Sequence, residues 1–160
     1  MNRKGCESRV PESVLRSTLH DVITACRARG TKMTPLRQRA LAALWRAGRP
    51  MGAYALRETL SEEIGRALTA STIYRMLDCL CAQGVATRVE SRNAFVACAH
   101  PEDDHACVLF VCERCGQSTE VENKKLERLL ACDAESLGFT IKHHIVELSG
   151  FCAGCQDAGK

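Results

Sequence analysis

Apolar residues in the first half of the chain recur at intervals of three and four, which is the period of amphipathic helices. The pattern begins after Pro11 and stops at Gly30. It resumes after Thr34, which suits an N-cap because a proline follows it at the first helical position. Gly48 is expected to end this second helix, and a third helix is predicted over residues 53–64.

The fourth predicted helix lies between Thr69 and Gly84 and leaves Ser71, Thr72 and Arg75 facing outward near its N-terminal end. Two short alternating segments then predict the strands of a β-hairpin, 85–90 and 93–98. Three or four short helices followed by a hairpin are typical of a winged helix-turn-helix domain. In such domains the N-terminal residues of the last helix enter the major groove of DNA.

The second half of the chain predicts a smaller α/β unit. Its segments are strand 107–111, strand 117–121, helix 124–137 and strand 139–148. The helix is expected to turn four leucines inward: Leu126, Leu129, Leu130 and Leu137. The expected fold is α+β, with a flexible leader over 1–10, a winged helix-turn-helix domain over 11–98 and a small α/β dimerisation domain over 99–160.

Charge divides along the same boundary. Residues 1–98 hold 16 Lys and Arg against 8 Asp and Glu, whereas residues 99–160 hold 6 against 11. A basic half suits a polyanion such as double-stranded DNA, and an acidic half rich in Cys and His suits cations.

The chain shows no apolar run of the roughly 18–20 residues that span a bilayer, and no apolar segment follows the charged N-terminus. A cytoplasmic protein without a membrane partner is therefore expected. Eleven cysteines in a reducing cytosol are expected to bind metal or to fill the core.

Two Cys-x-x-Cys motifs, Cys112/Cys115 and Cys152/Cys155, are separated by 36 residues. Each two-residue gap lets a tight turn aim two thiolates at one cation, and two such turns complete a tetrahedral zinc site. Four protein ligands leave no position for a reactive water, so the site is predicted to be structural. The alternative is a set of buried or disulfide-bonded cysteines.

A second group of possible ligands lies at or near the predicted boundary: Cys98, His100, His105, Cys107 and Glu120. Mixed sulfur, nitrogen and oxygen donors suit zinc, and a site between two domains would fix their relative orientation. Taken singly, Cys107 is also explained as a core residue and His100 as a solvated one. His143 and His144 would point to opposite faces of a strand and are expected to be structural or surface residues.

Six side chains are predicted to contact DNA: Arg37, Tyr54, Ser71, Thr72, Tyr74 and Arg75. Arg75 is the expected base reader, because a guanidinium can bind guanine with two hydrogen bonds. Tyr54, Arg37 and Lys32 are expected to contact the DNA backbone, which positions a protein without specifying sequence. A helical bundle that does not bind DNA is the alternative for this half.

Four motifs make the chain resemble the ferric uptake regulator family along nearly its whole length. They are Gly30-Thr-Lys-Met-Thr-Pro-Leu-Arg37, Ser71-Thr-Ile-Tyr-Arg75, Cys112-Glu-Arg-Cys115-Gly116 and Gly150-Phe-Cys152-Ala-Gly-Cys155. The resemblance implies a homodimeric metal-dependent regulator, not an enzyme, that binds palindromic operators and represses transcription. It also implies that Tyr54 and Arg75 match positions that contact DNA.

Within the family the chain is most similar to the zinc uptake regulators. Iron sensors carry a cluster of His and Asp before the first cysteine pair, where this chain has the largely apolar segment 106–110. The resemblance implies an exchangeable regulatory zinc bound by Cys98, His105 and Glu120. Zinc regulators take a remaining ligand from a wing histidine, which Thr87 replaces here. His100 is the proposed substitute, with Cys107 or water as alternatives.

Three other functions are weighed against this hypothesis. An iron- or peroxide-sensing family member would differ in the metal that promotes operator binding. A zinc enzyme such as a nucleoside deaminase needs His-x-Glu and then Pro-Cys-x-x-Cys. His100-Pro-Glu102 meets the first half, but Val111 stands where the proline is required. A zinc-ribbon adapter would bind protein and show no salt-dependent DNA affinity.

Overall fold

The computed structural model describes residues 12–98, 107–141 and 145–156. The chain divides into two compact units, Met1–Glu102 and Asp103–Lys160. The predicted leader over 1–10 and the acidic segment over 99–106 lie outside the described residues, so the domain bounds 11–98 and 99–160 stay predictions. Among the described residues, no helix is both long and apolar enough to cross a bilayer.

Four helices form most of the N-terminal unit, and local capping sets several of their ends. They are α1 Glu12–Ala28, α2 Pro35–Ala47, α3 Ala53–Ile64 and α4 Ala70–Ala82. The Thr34 side chain accepts a hydrogen bond from the Arg37 amide at the start of α2, and the Thr69 side chain caps α4 in the same way. Gly48 ends α2 in the left-handed conformation, with φ 57°, which glycine adopts without strain.

A three-stranded antiparallel sheet forms the wing of this unit. Its strands are β1 Met51–Gly52, β2 Ala86–Val89 and β3 Ala94–Ala97, in the order β1-β3-β2. A 3₁₀ turn over Glu90–Arg92 connects β2 to β3, and Asn93 follows it with φ 45°, a conformation that asparagine tolerates better than most residues. The residue pattern does not predict β1, because two residues are too few to show an alternation.

The helices and the wing share a single hydrophobic cluster. Fully buried leucines come from α2, α3 and α4: Leu41, Leu44, Leu56, Leu60, Leu77 and Leu80. Phe95 of β3 belongs to the same cluster. Packing of this kind holds α4 by its apolar side and leaves its opposite side exposed.

The C-terminal unit is a mixed three-stranded sheet with one longer helix. Its elements are β4 Cys107–Cys112, β5 Ser118–Glu122, α5 Lys124–Ser136, β6 Ile145–Gly150 and the single turn α6 Ala153–Gln156. β4 is central, antiparallel to β5 and parallel to β6. The β4–β6 pairing runs as far as Cys112 opposite Gly150, so the carboxyl ends of these two strands lie side by side.

The last strand is shorter than the prediction of 139–148. β6 begins at Ile145, which pairs with Cys107 at the start of β4, so the ladder begins where β4 begins. Residues 139–141 lie outside any strand. His143 and His144 lie outside the described residues, so their role stays a prediction.

Helix α5 does not bury all four leucines. Leu129 is 58% exposed and Leu137 is 81% exposed, whereas Leu126 and Leu130 are half-buried. The prediction that Leu129 and Leu137 turn inward is therefore wrong. The physical reason is the small size of the sheet, whose buried residues come mainly from β4 and cannot cover the whole apolar face of the helix.

Candidate metal centre and DNA-binding face

Four cysteine side chains converge at one end of the C-terminal sheet. A first knuckle, Cys112 to Cys115, follows β4, and a second knuckle, Cys152 to Cys155, follows β6. The four Sγ atoms all lie within 4.8 Å of one another, and those of Cys115 and Cys152 are 3.7 Å apart. Zinc–thiolate bonds of about 2.3 Å in a tetrahedron place neighbouring sulfurs roughly 3.8 Å apart. The four sulfurs therefore fit one tetrahedral zinc ion.

Main-chain hydrogen bonds hold the two knuckles. In the first knuckle the Gly116 amide donates to the Cys112 carbonyl at 2.9 Å, and Gly116 has φ 76°, which favours glycine. In the second knuckle the Cys155 amide donates to the Cys152 carbonyl at 2.8 Å. The Cys152 amide also donates to the Cys112 Sγ at 3.4 Å. The two-residue gap thus aims both sulfurs of each knuckle at the same point.

Hydrogen bonding gives these thiols different acidities. Amide hydrogen bonds from Cys115 and then from Cys152 lower the pKa of the Cys112 thiol to about 5. The side-chain hydrogen bond with Cys152, followed by burial, raises the pKa of the Cys155 thiol to about 12. Four thiolates this close would repel one another, so some must keep their protons until a cation replaces them. The four sulfur ligands of the cluster therefore favour a soft divalent cation.

The residues predicted to bind a regulatory zinc are described in part. Cys98 follows β3 and is 4% exposed, and its amide donates to the Val85 carbonyl at 3.0 Å. Glu120 lies in β5 and is half-buried. Cys98 is therefore held just beyond the end of the wing sheet, and Glu120 lies within the sheet of the C-terminal unit.

The full set of ligands for the regulatory zinc stays a prediction, because not all of its proposed members are described. His100 and His105 lie outside the described residues. Cys107 is the first residue of β4. Thr87, which stands where a wing histidine is expected, is 7% exposed on β2.

Helix α4 presents a polar face near its N-terminus. Ser71 and Arg75 are exposed and Tyr74 is 46% exposed, whereas Ile73 and Leu77 are buried. The amphipathic spacing thus orients the predicted base reader, Arg75, away from the core.

Three hydroxyl groups lie together at the start of the same helix. The Thr69 Oγ1 is 3.1 Å from the Ser71 Oγ and 2.9 Å from the Thr72 Oγ1. Their position coincides with the partial positive charge of the helix N-terminus. Such a surface suits the phosphates and base edges of a major groove.

Tyr54 and Arg57 form a stacked pair on α3. Tyr54 is 66% exposed, and the Arg57 guanidinium carbon lies 4.0 Å from the centroid of its ring. Both residues line a cavity of about 180 Å³ that Tyr74 and Asn93 also line. Arg57 is not among the predicted DNA contacts. Its three-residue spacing from Tyr54, which places both on one face of a helix, is the signal that could have identified it.

Arg37 has a structural role besides its predicted one. It is half-buried, and its Nη1 donates a hydrogen bond to the Lys32 carbonyl. Part of the guanidinium therefore stabilises the segment before α2. Contacts of Arg37 and of the exposed Lys32 with DNA stay predictions.

A family profile matches most of the described elements. The profile of the "Ferric uptake regulator family" matches residues 28–149, which is well over half of the chain. The chain belongs to the ferric uptake regulator family. The family resemblance expected from the four sequence motifs is thereby confirmed.

Several ferric uptake regulator family members share most of this chain's length. The "Zinc uptake regulation protein" of Escherichia coli strain K12 is 33% identical over 133 residues, which are 82% of this chain and 77% of that protein. The structure of a "Zinc Uptake Regulator Complexed With Zinc AND DNA" has a TM-score of 0.81 and 30% identity, covering 90% of this chain and 96% of that one. The "holo XcZur" crystal structure has a TM-score of 0.73 and 36% identity, covering 86% and 95% of the two chains. These likenesses confirm the predicted α+β fold.

Proposed function

We propose that this ferric uptake regulator family protein is a zinc-responsive transcriptional repressor. When loaded with zinc, it binds palindromic operator DNA as a homodimer in the cytoplasm and controls genes of zinc uptake and homeostasis. The observation that carries the proposal is the likeness, over most of both chains, to a zinc uptake regulator complexed with zinc and DNA. The four-cysteine cluster and the exposed face of α4 supply the two binding chemistries that this function needs.

One zinc ion is structural in this proposal. Its ligands are the four thiolates of the two knuckles, a closed set that leaves no position for water. The bound ion connects the end of β4 to the end of β6, in a unit whose own core is small. It therefore supplies folding energy and no reaction chemistry.

A second, exchangeable zinc is the proposed signal. Its ligands are Cys98, His105, Glu120 and His100, which lie on both sides of the predicted domain boundary. Zinc would bind most tightly to the arrangement that brings these ligands together and would shift the population toward it. The ion need not touch DNA, because its effect equals its preference for the DNA-binding arrangement over the others.

A homodimer is supported by the apolar surface of the C-terminal unit. Its exposed large side chains include Phe110, Leu129, Phe139 and Leu148. A second copy of the chain would cover these side chains, and apolar residues exposed on one copy are typical of an interface between copies. Two copies would also present two α4 helices, which match a palindrome when they lie roughly 34 Å apart.

Operator binding is expected to switch on with free zinc. The purified protein should keep one zinc per chain after dialysis against a chelator and bind its operator only when further zinc binds. The measurement is fluorescence anisotropy of a palindromic fragment, selected from genomic DNA by the zinc-loaded protein, across zinc-buffered solutions with parallel metal analysis. Binding promoted by iron(II) or manganese, and not by zinc, would contradict the proposal and favour an iron or peroxide sensor.

Arg75→Ala is expected to weaken operator binding by about 10- to 100-fold and to change binding to random DNA little. The loss of one bidentate guanidinium–guanine contact costs about 1–3 kcal/mol of discrimination. Arg46→Ala is the matched control, because this exposed arginine of the same unit is already paired with Glu63 at 3.3 Å. An equal loss on both DNAs, with a shallower salt dependence, would make Arg75 a phosphate contact instead.

A further inference from the structure

The two knuckles of the four-cysteine site are joined by a side chain that is not a metal ligand. Arg114, inside the first knuckle, donates from Nη1 to the carbonyl oxygen of Cys155 at 2.8 Å. Its guanidinium carbon also lies 5.5 Å from the centroid of the Phe151 ring, beside the second knuckle. One side chain thus contacts the residue before the second knuckle and the last residue of that knuckle, about forty residues away along the chain.

Arg114 secures a different part of the second knuckle from the amide hydrogen bonds that join the two knuckles. The Glu113 amide donates to the Gly150 carbonyl at 2.8 Å, and the Cys152 amide donates to the Cys112 Sγ at 3.4 Å. Both of these bonds hold residues before or at the first cysteine of the knuckle. The bond from Arg114 holds Cys155, the last ligand in the chain.

The positive charge of Arg114 is opposite in sign to the net charge of a zinc-filled site. Four thiolates and one zinc ion carry a net charge of −2, which is costly to keep at a half-buried position unless cations or hydrogen-bond donors lie close by. A guanidinium remains charged at any working pH and is rigid and planar, so it can donate to a carbonyl and lie near an aromatic ring together. Lysine has the same charge without this planar geometry.

We propose that Arg114 is a positioning residue that fastens the Cys155 end of the site and sets how slowly the site releases zinc. Loss of zinc from four thiolates proceeds one sulfur at a time, and the sulfur on the least secured segment leaves first. Without Arg114 the end of the second knuckle loses its bond to the Arg114 side chain and keeps the main-chain bonds of its own turn, from the Cys155 and Gln156 amides to the Cys152 carbonyl. The Cys155 sulfur is then expected to leave the zinc sooner. The inference rests on the proposed structural zinc and concerns its rate of release.

The test compares zinc release from full-length protein after dialysis against a mild chelator, which leaves only retained zinc. Excess of a stronger, chromophoric chelator is then added and its absorbance is followed. Arg114→Ala is expected to release zinc about tenfold faster than the unmodified protein, the factor typical of one lost hydrogen bond to a charged group. Arg114→Lys should fall between the two, because it restores the charge without the planar contacts.

Arg128→Ala is the matched control, because Arg128 is an exposed arginine on α5 of the same unit. It should release zinc at the unmodified rate. Circular dichroism and one retained zinc per chain before the chelator is added would show that each variant begins folded and filled. If Arg114→Ala is purified without zinc, the role of Arg114 is tested by comparing the rate of zinc release from Arg114→Lys with that from the unmodified protein.

Two failures are distinguishable. If the unmodified protein retains no zinc after mild dialysis, the proposed structural zinc is wrong and the inference fails with it. If it retains one zinc per chain but the Arg114 variants release it within twofold of the unmodified rate, the structural zinc stands and the role of Arg114 is overturned.

Discussion

Cys112→Ser is expected to remove the retained zinc and to unfold the C-terminal unit. Cys112 ends β4, and its sulfur accepts the Cys152 amide at 3.4 Å, so the change breaks the ligand set and a contact between the knuckles. Structural zinc supplies about 10–16 kcal/mol of coupled binding and folding energy, which matches or exceeds the roughly 5–15 kcal/mol by which whole domains are stable. Metal analysis should find less than one retained zinc per chain. Limited proteolysis should cut within the C-terminal unit, at sites between residues 107 and 156.

The N-terminal unit of this variant should remain helical, because the buried leucines of α2, α3 and α4 pack within that unit. Cys132→Ser is the control, since Cys132 is an exposed cysteine on α5 outside the four-sulfur cluster. It should keep its zinc and its resistance to protease. Full retention of zinc by Cys112→Ser would show that the cluster is not the structural zinc site.

The helices of the N-terminal unit are predictable because their ends depend on neighbouring residues. Thr34 and Thr69 accept hydrogen bonds from amides three residues ahead, and Gly48 takes a left-handed conformation at the end of α2. Each signal lies within one helical turn of the boundary that it sets. The starts of α2 and α4 and the end of α2 can therefore be predicted from the residues alone.

The C-terminal sheet is less predictable because its pairings join distant residues. The parallel ladder between β4 and β6 pairs residues that are nearly forty positions apart, so no tight turn fixes its register. The apolar spacing of α5 predicts which side of the helix is apolar, but it does not say whether the same unit or another chain covers that side. The spacing therefore does not predict that Leu129 and Leu137 are exposed.

The candidate sites also combine features that neighbouring residues predict with features that depend on distant residues. Cysteine spacing predicts the four-sulfur cluster, because the gap within each knuckle is a local requirement of the turn. Arg57 is not among the predicted contacts although its three-residue spacing from Tyr54 is a local signal. Arg114 is not predicted because it acts by reaching Cys155 in the second knuckle, a contact between distant residues that only the folded chain fixes.

Cys98→Ala is expected to abolish the zinc response of operator binding without unfolding the protein. The Cys98 amide bond to the Val85 carbonyl involves only the main chain, so alanine keeps it. Loss of one buried sulfur costs about 1 kcal/mol, a small part of the stability of a domain. Loss of a thiolate ligand should weaken the affinity for the exchangeable zinc by more than about 100-fold. Mutation of residues that only hydrogen-bond to metal ligands already lowers metal affinity by about 10- to 100-fold. The measurements are operator anisotropy in zinc buffers and thermal unfolding.

Cys26→Ala is the control that separates metal binding from packing. Cys26 is fully buried in the core of the same unit, so its replacement removes an equally buried sulfur that is not a proposed ligand. Its zinc response should remain. His105→Ala should reproduce the loss seen with Cys98→Ala, since both residues are proposed to bind one ion. If His105→Ala loses the response and Cys98→Ala keeps it, Cys98 is not a ligand. If both variants keep it, the exchangeable zinc binds elsewhere, and coupling across the predicted domain boundary is the wrong explanation of the switch.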